Sequence, residues 1–323
     1  MASSSTSGGT PTGGSGADLL RVRSTRSVSE GAIRVALMVA AGISVLTTIL
    51  IVLSLAKETI SFFSDVSIFD YLFGGKWTPQ LAGDQASFGV VPLVTATLYI
   101  TGIAMLVAVP LGLLAAIYLA EYAPTRVRKV VKPILEVLAG VPTIVFGFFA
   151  LTFLTPEVLR PLFGTDVSQS NQLAGGLLVG LLVLPTIASI AEDALTSVPA
   201  SLREGSFGLG ASRLTTSLRV VLPAALSGVI AALVLGASRA IGETLVILLA
   251  AGSGQLLPGT VGSPTEPSGS MAAFIASTAT GDAATGSIAY ETIFAVGTTL
   301  FVICLTLNLI SISLVNKYRQ VYE

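Results

Sequence analysis

Runs of apolar residues, each about 20 positions or longer, alternate with shorter polar stretches along the chain. They fall at about 35–56, 90–120, 133–153, 173–191, 221–250 and 290–315. About 20 helical residues cross a hydrocarbon layer of roughly 30 Å. The pattern therefore predicts six transmembrane helices. Closed barrels use strands of about ten alternating residues, and these runs are continuously apolar and longer. The expected fold class is an all-α polytopic membrane protein.

The polar stretches differ in character. Residues 1–30 are expected to form a disordered tail, because 1–18 are Ser/Gly/Thr-rich and have no apolar face. The first apolar run lies too far in and is too long for a cleaved signal peptide. Segment 57–88 mixes aromatics with acids and turn formers, which suits a piece at headgroup level. The segment 121-EYAPTRVRKVVKP-133 reads as a short basic connection. Residues 192–219 carry six charges. Residues 251–289 read as a long loop with a short helix near 270–278. The remaining boundaries are a membrane domain over 31–316, including a cytoplasmic region at 192–220, and a tail at 317–323.

Charge sets the orientation. Arg21, Arg23, Arg26 and Arg34 precede the first run. Arg126, Arg128, Lys129 and Lys132 fill the second connection, and Arg203, Arg213 and Arg219 the fourth. The 251–289 segment has no lysine or arginine. Basic loops stay cytoplasmic, so both termini are expected inside. Composition agrees with a membrane protein: 52% of residues are hydrophobic and only 11% charged, against about 25% charged in soluble domains.

Composition also excludes chemistry. The chain has no histidine and one cysteine, Cys304. An intrachain disulfide, a cysteine zinc cluster and a histidine-based triad are thereby ruled out. Cys304 lies in an apolar run and reads as a small buried hydrophobe. The stretch 208-GLGAS-212 lacks the Gly-Lys-Ser/Thr ending of a phosphate-binding loop. No catalytic residue, metal, cofactor or nucleic-acid contact is expected, and ATP hydrolysis must belong to another chain.

Two polar features remain. Within 238-SRAIGETLVI-247, Arg239 and Glu243 stand four apart inside an apolar run. On one helix that spacing puts them on one face. A charge at mid-membrane costs at least about 2.5 kcal/mol, which makes a role on a substrate path or gate attractive. Arginine can hold two oxygens of an oxyanion and stays charged in a poor solvent. A structural ion pair is the alternative. Glu136 is a third candidate, either for a gate or as an interfacial partner of Lys132, also four apart. Beside it, Gly140 and Pro142 form a break that either serves gating or bends a helix. The second feature is 201-SLREGSFGLGASRLTTSLRVVLP-223. Short helices are expected there, with Gly205, Gly208 and Gly210 permitting a tight bend. Phe207 and Leu209 offer an apolar handle, and Arg213 and Arg219 are available outside the membrane. Such a face can dock on a soluble partner or lie on its own membrane helices.

Residues 204–223 resemble the cytoplasmic signature of binding-protein-dependent ABC permeases. Glu204, Gly205, Ser206, Gly210, Val220, Leu222 and Pro223 match its spacing; the two small residues after the glutamate are usually alanine. The resemblance implies ATPase coupling by Glu204, Gly205, Ser206, Phe207, Gly210, Arg213, Leu222 and Pro223. The stretches 134-ILEVLAGVPTIVFGF-148, 238–247 and 287–312 make residues 30–316 similar to phosphate-uptake permeases of the PstC type. The 271–282 region and the context of Asn308 favour that type over the sister PstA type. The resemblance implies a type I ABC importer permease fold in the cell membrane. It further implies inorganic phosphate as substrate, with a related PstA-like permease, two PstB-like ATP-binding subunits and an extracytoplasmic PstS-like phosphate-binding protein as partners, all amid membrane lipid. A permease for sulfate, molybdate or another solute, and a membrane scaffold recruiting a cytoplasmic partner, are the alternatives.

Overall fold

A computed structural model describes residues 16–81, 83–253, 263–281 and 283–318. Side chains at 16–29, 84 and 318 are outside the description, as is Arg319. The chain divides into two compact units, Met1–Ser54 and Leu55–Glu323.

Helix α1 covers Gly16–Asp65. Its backbone is thus helical through 16–30, where a disordered tail was expected; leucines and arginines there are good helix formers and continue the span's helix. Residues 1–15 lie outside the description. Then follow α2 (Ile68–Phe73), α3 (Val91–Tyr122) and α4 (Thr125–Ala139). Next come α5 (Thr143–Phe163), α6 (Gln172–Thr196) and α7 (Ala200–Gly208). The chain continues through α8 (Arg213–Ala224), α9 (Leu226–Ile241), α10 (Leu245–Ala250), α11 (Met271–Ala279) and α12 (Ile288–Tyr318). Among the described residues the only β pairing is an isolated bridge, Trp77 to Phe88.

Among the described residues, five helices are long and apolar enough to cross a membrane: α1, α3, α5, α6 and α12. The sixth candidate is the pair α8 and α9, bent by 74° at Ala225. The third span departs from expectation. It runs over Thr143–Phe163, not 133–153. Residues 125–139 form the separate helix α4, whose apolar positions 127, 130, 131, 134, 135 and 138 follow helical spacing. Gly140 caps it, and Pro142 cannot continue it because proline lacks the N–H and restricts the residue before it.

Helix α6 is the centre of the core. Leu178, Val179, Leu182, Val183, Ile187 and Ala188 are buried. Small residues let α3 approach closely. A Cβ on Gly176 would stand 2.6 Å from the Ile103 side chain, and one on Gly180 only 2.8 Å from the Ala104 carbonyl oxygen. In membranes this close packing replaces a hydrophobic driving force. Gly180→Val should therefore lower the thermal unfolding midpoint of the detergent-solubilised protein. Overpacking of this kind costs about 1–3 kcal/mol, whereas valine at Gly205, where a Cβ meets nothing within 4 Å, should leave the midpoint nearly unchanged.

The first turn of α6 leaves no free donor. Asn171 N–H donates to the Ala250 carbonyl (2.8 Å), Gln172 to Glu266 (3.1 Å) and Leu173 to Pro264 (2.8 Å). The Asn171 side chain accepts from Ala174 N–H at 2.7 Å. The four orphan amides of a helix start are thus all taken, two by the loop around 263–268, one by Ala250 and one by the Asn171 side chain, and this helix start has no donor left for an anion. The 251–289 segment contains the expected short helix, α11, and residues 254–262 lie outside the description. The aromatics of 57–88 do not all stay at headgroup level. Phe62, Tyr71 and Trp77 are buried, Trp77 edge-on to Phe274 at 5.0 Å, while Phe69 and Phe73 remain exposed. The Tyr71 hydroxyl and Thr299 are hydrogen-bonded at 2.8 Å.

Candidate functional site

The Arg239–Glu243 stretch is not one helix. Helix α9 ends at Ile241, Gly242 to Thr244 leave the helix, and α10 restarts at Leu245. Gly242 N–H still donates to the Ser238 carbonyl at 3.2 Å, and Glu243 N–H to Ala240 at 3.3 Å. The spacing of four therefore no longer aligns the side chains. Among the described residues, no ion pair joins Arg239 to Glu243. The sequence expectation of a shared helix face is corrected by the break at Gly242.

Arg239 is exposed in the last turn of α9. Among the described residues, its one side-chain hydrogen bond is long, Nη1 donating to Thr186 Oγ1 at 3.5 Å. Ser238 Oγ lies 3.4 Å from Asn308 Oδ1 on α12. Glu243 is partly buried, and the backbone N–H groups of Thr244 and Val246 face its carboxylate. The acid thus answers the free donors at the start of α10, and it acts on Arg239 through space without forming an ion pair. Helix α10 packs on α5: a Cβ on Gly147 would lie 2.6 Å from Leu249. Each of these two packed helices begins at a break, one at Gly140–Pro142 and the other at Gly242–Thr244.

Glu136 is exposed on α4, ahead of the first break. No hydrogen bond or ion pair joins it to Lys132, Arg239 or Glu243. Lys132 instead donates to Glu192 at 2.8 Å and to Asp193 at 2.7 Å. These bonds, to Asp193 first and then to Glu192, push the Lys132 ammonium pKa above its ordinary value. A raised lysine pKa favours the fold fully below the unfolded value of about 10.4 and loses that contribution only above it. The contact therefore stays charged through neutral pH.

The cytoplasmic stretch forms a helix, a turn and a second helix. Glu204, Gly205, Ser206 and Phe207 lie on α7, and Arg213 opens α8. Only Gly210 has a left-handed backbone, with φ 81°; Gly205 and Gly208 are helical, contrary to the expected use of all three in the bend. Ser206 and Thr216 hydroxyls bond across the turn at 2.9 Å. Ser212 caps α8 by accepting from Thr215 N–H at 3.2 Å. Phe207 is 44% and Leu209 92% exposed. The small Gly205 meets nothing in its own chain. Leu222 and Pro223 end α8 just before the 74° bend.

Two charged contacts escaped the sequence reading. Glu192 is buried at the end of α6 and takes Arg128 and Lys132 of α4. Arg203 on α7 donates to Glu121 through Nε (3.0 Å) and Nη2 (2.8 Å). It also donates to the Val198 carbonyl at 2.6 Å and the Leu195 carbonyl at 2.8 Å. Four basic residues in 125–132 with no acid among them were the one available signal.

The sequence pattern of the binding-protein-dependent transport system inner membrane component matches residues 108–319. The chain belongs to this family. It is a multi-pass membrane protein and a component of such a transport system, which decides against an unrelated scaffold. A probable ABC transporter permease, YqgH of Bacillus subtilis, is 33% identical over 286 residues, 88% of this chain and 90% of its own. The phosphate transport permease PstC of Haemophilus influenzae is 30% identical over 267 residues, 77% of this chain and 83% of its own. A chain of a bacterial alginate ABC importer shares the fold at a TM-score of 0.61, 15% identity, 92% of this chain and 100% of that one.

Proposed function

We propose that this permease is the membrane subunit of an ATP-driven importer carrying inorganic phosphate into the cell, with both termini cytoplasmic. The observation that carries the reading is Arg239. Its guanidinium stands exposed beside a broken membrane helix, with one 3.5 Å hydrogen bond and no ion pair among the described residues. A cation there without an ion-pair partner is expensive, and a guanidinium forks naturally onto two oxygens of a phosphate. The phosphate transport named for the Haemophilus relative supports the choice of oxyanion. Glu243 holds the start of α10 and so keeps the break in place. Glu136 stands on the helix that leads into the other break and serves the gate.

The permease itself performs no covalent chemistry. A PstA-like permease lines the path from the other side, and two PstB-like ATP-binding subunits dock on α7 and the turn at Gly210. A PstS-like binding protein delivers phosphate from outside. Glu204, Gly205, Ser206, Phe207, Gly210, Arg213, Leu222 and Pro223 form or support the docking face. The substrate assignment is tested by ATP hydrolysis in the assembled complex. Phosphate-loaded binding protein should stimulate hydrolysis, while the sulfate- or molybdate-loaded counterparts should not. Equal stimulation by sulfate or molybdate would reassign the permease to another oxyanion.

A further inference from the structure

The end of α6 is held from two sides. On one side Arg203, from α7, grips the Leu195 and Val198 carbonyls and the Glu121 carboxylate at the end of α3. Both partners are largely shielded, at 19% and 7% exposed. On the other side Glu192, whose side chain is 1% exposed, holds Arg128 and Lys132 of α4. Asp193, 63% exposed, adds a second acceptor for Lys132. Glu192 and Arg203 are eleven positions apart on either side of the Pro199 turn. Helix α4 then leads through Gly140–Pro142 into α5.

A carboxylate buried this deeply is costly unless its cations stay in place. Apolar contacts slide at little cost, but separating Glu192 from Arg128 and Lys132 would strand a buried charge. On the apolar side of α4, Val130, Ile134 and Val137 are exposed. Among the described residues, the ion pairs of Glu192 and Asp193 are the charged contacts that hold α4 to α6.

We infer that Glu192 is a positioning residue for transport: it locks α4 to the end of α6, so that displacement of α7 by the ATPase reaches the break at Gly140–Pro142. The inference rests on the docking role proposed for α7. Glu192 touches neither substrate nor ATPase. It acts by making α4, the end of α6 and α7 one moving body. The break then becomes the hinge at which α5 changes its angle.

The test uses the complete complex in vesicles, comparing wild type with Glu192→Gln. Phosphate uptake and ATP hydrolysis are measured together. The variant should hydrolyse ATP within about twofold of wild type while uptake per ATP falls about tenfold, the range of a typical coupling free energy. A purely structural role would lower both together, with the unfolding midpoint. Unchanged uptake per ATP overturns the inference. A wild-type complex that takes up no phosphate contradicts the transport reading alone.

A second measurement leaves the contact intact and needs no phosphate. Spin labels on Lys129→Cys and Ser197→Cys, in a Cys304→Ser background, report the distance between α4 and the end of α6. Across nucleotide-free and vanadate-trapped states it should stay constant within about 2 Å, the scale of ordinary helix shifts. A larger change with Glu192 in place overturns the inference, even where Glu192→Gln fails to assemble.

Discussion

Phe207→Asp should sever this permease from its ATPase. The ring is 44% exposed on α7, so its replacement removes little packing within the chain and the unfolding midpoint should hardly move. At an interface the same change puts a carboxylate where an apolar anchor sat. Losing a central aromatic anchor costs at least about 2 kcal/mol, which is roughly thirtyfold in affinity, and burying an unpaired charge adds to it. Co-purification of the ATP-binding subunits should fail, and binding-protein-stimulated ATP hydrolysis should vanish with it. Gly210→Val reaches a related end by another route. At φ 81° a β-branched residue is strained by about 1–2 kcal/mol, so the turn that sets α7 against α8 must reshape. Retained docking and hydrolysis in Phe207→Asp would show that this face is not the contact.

The sequence made much of the architecture legible. Four of the apolar runs, near 35–56, 90–120, 173–191 and 290–315, fall within the observed helices, and the short helix near 270–278 is α11 at Met271–Ala279. Such runs declare themselves because a membrane helix satisfies its backbone within one segment. The third span was misplaced because α4 is apolar on one face and adjoins a true span, so the two read as one run until Pro142 is taken as a boundary. The fifth run is continuous in the sequence, whereas the chain bends by 74° at Ala225 and breaks at Gly242.

The candidate site was legible only as residues. Arg239 and Glu243 stood out because charge is rare in apolar runs, but their i,i+4 spacing misled once the helix ended between them. Glu192 and Lys132 meet across 60 positions, and Arg203 meets Glu121 across 82. No local spacing announces contacts of that range. Lys132 had a nearer acid in Glu136, yet bonded elsewhere because α4 turns Lys132 toward α6 and leaves Glu136 exposed.

Arg239→Gln should cut phosphate uptake severely. Glutamine keeps hydrogen-bond donors but loses the charge and the planar fork that fits an oxyanion. Removing a charged hydrogen-bond partner from a site built for it costs about 2–5 kcal/mol, so uptake should fall at least about thirtyfold and by as much as several thousandfold. Arg239→Lys should recover part of it, since charge returns without the fork. Glu243→Gln should be milder, because an amide oxygen can still accept from the Thr244 and Val246 N–H groups. The two side chains form no ion pair, so neither variant breaks a salt bridge. The double variant should therefore be no better than Arg239→Gln. Mutual neutralisation predicts the reverse, with the double variant recovering activity that each single change destroys.

The decisive measurement is ATP-driven uptake of labelled phosphate into vesicles holding the assembled complex, for wild type, Arg239→Gln, Glu243→Gln and the double variant. The account predicts accumulation by wild type, a large loss in Arg239→Gln, a smaller one in Glu243→Gln, and no rescue in the double. Wild-type uptake by an assembled double variant would contradict it.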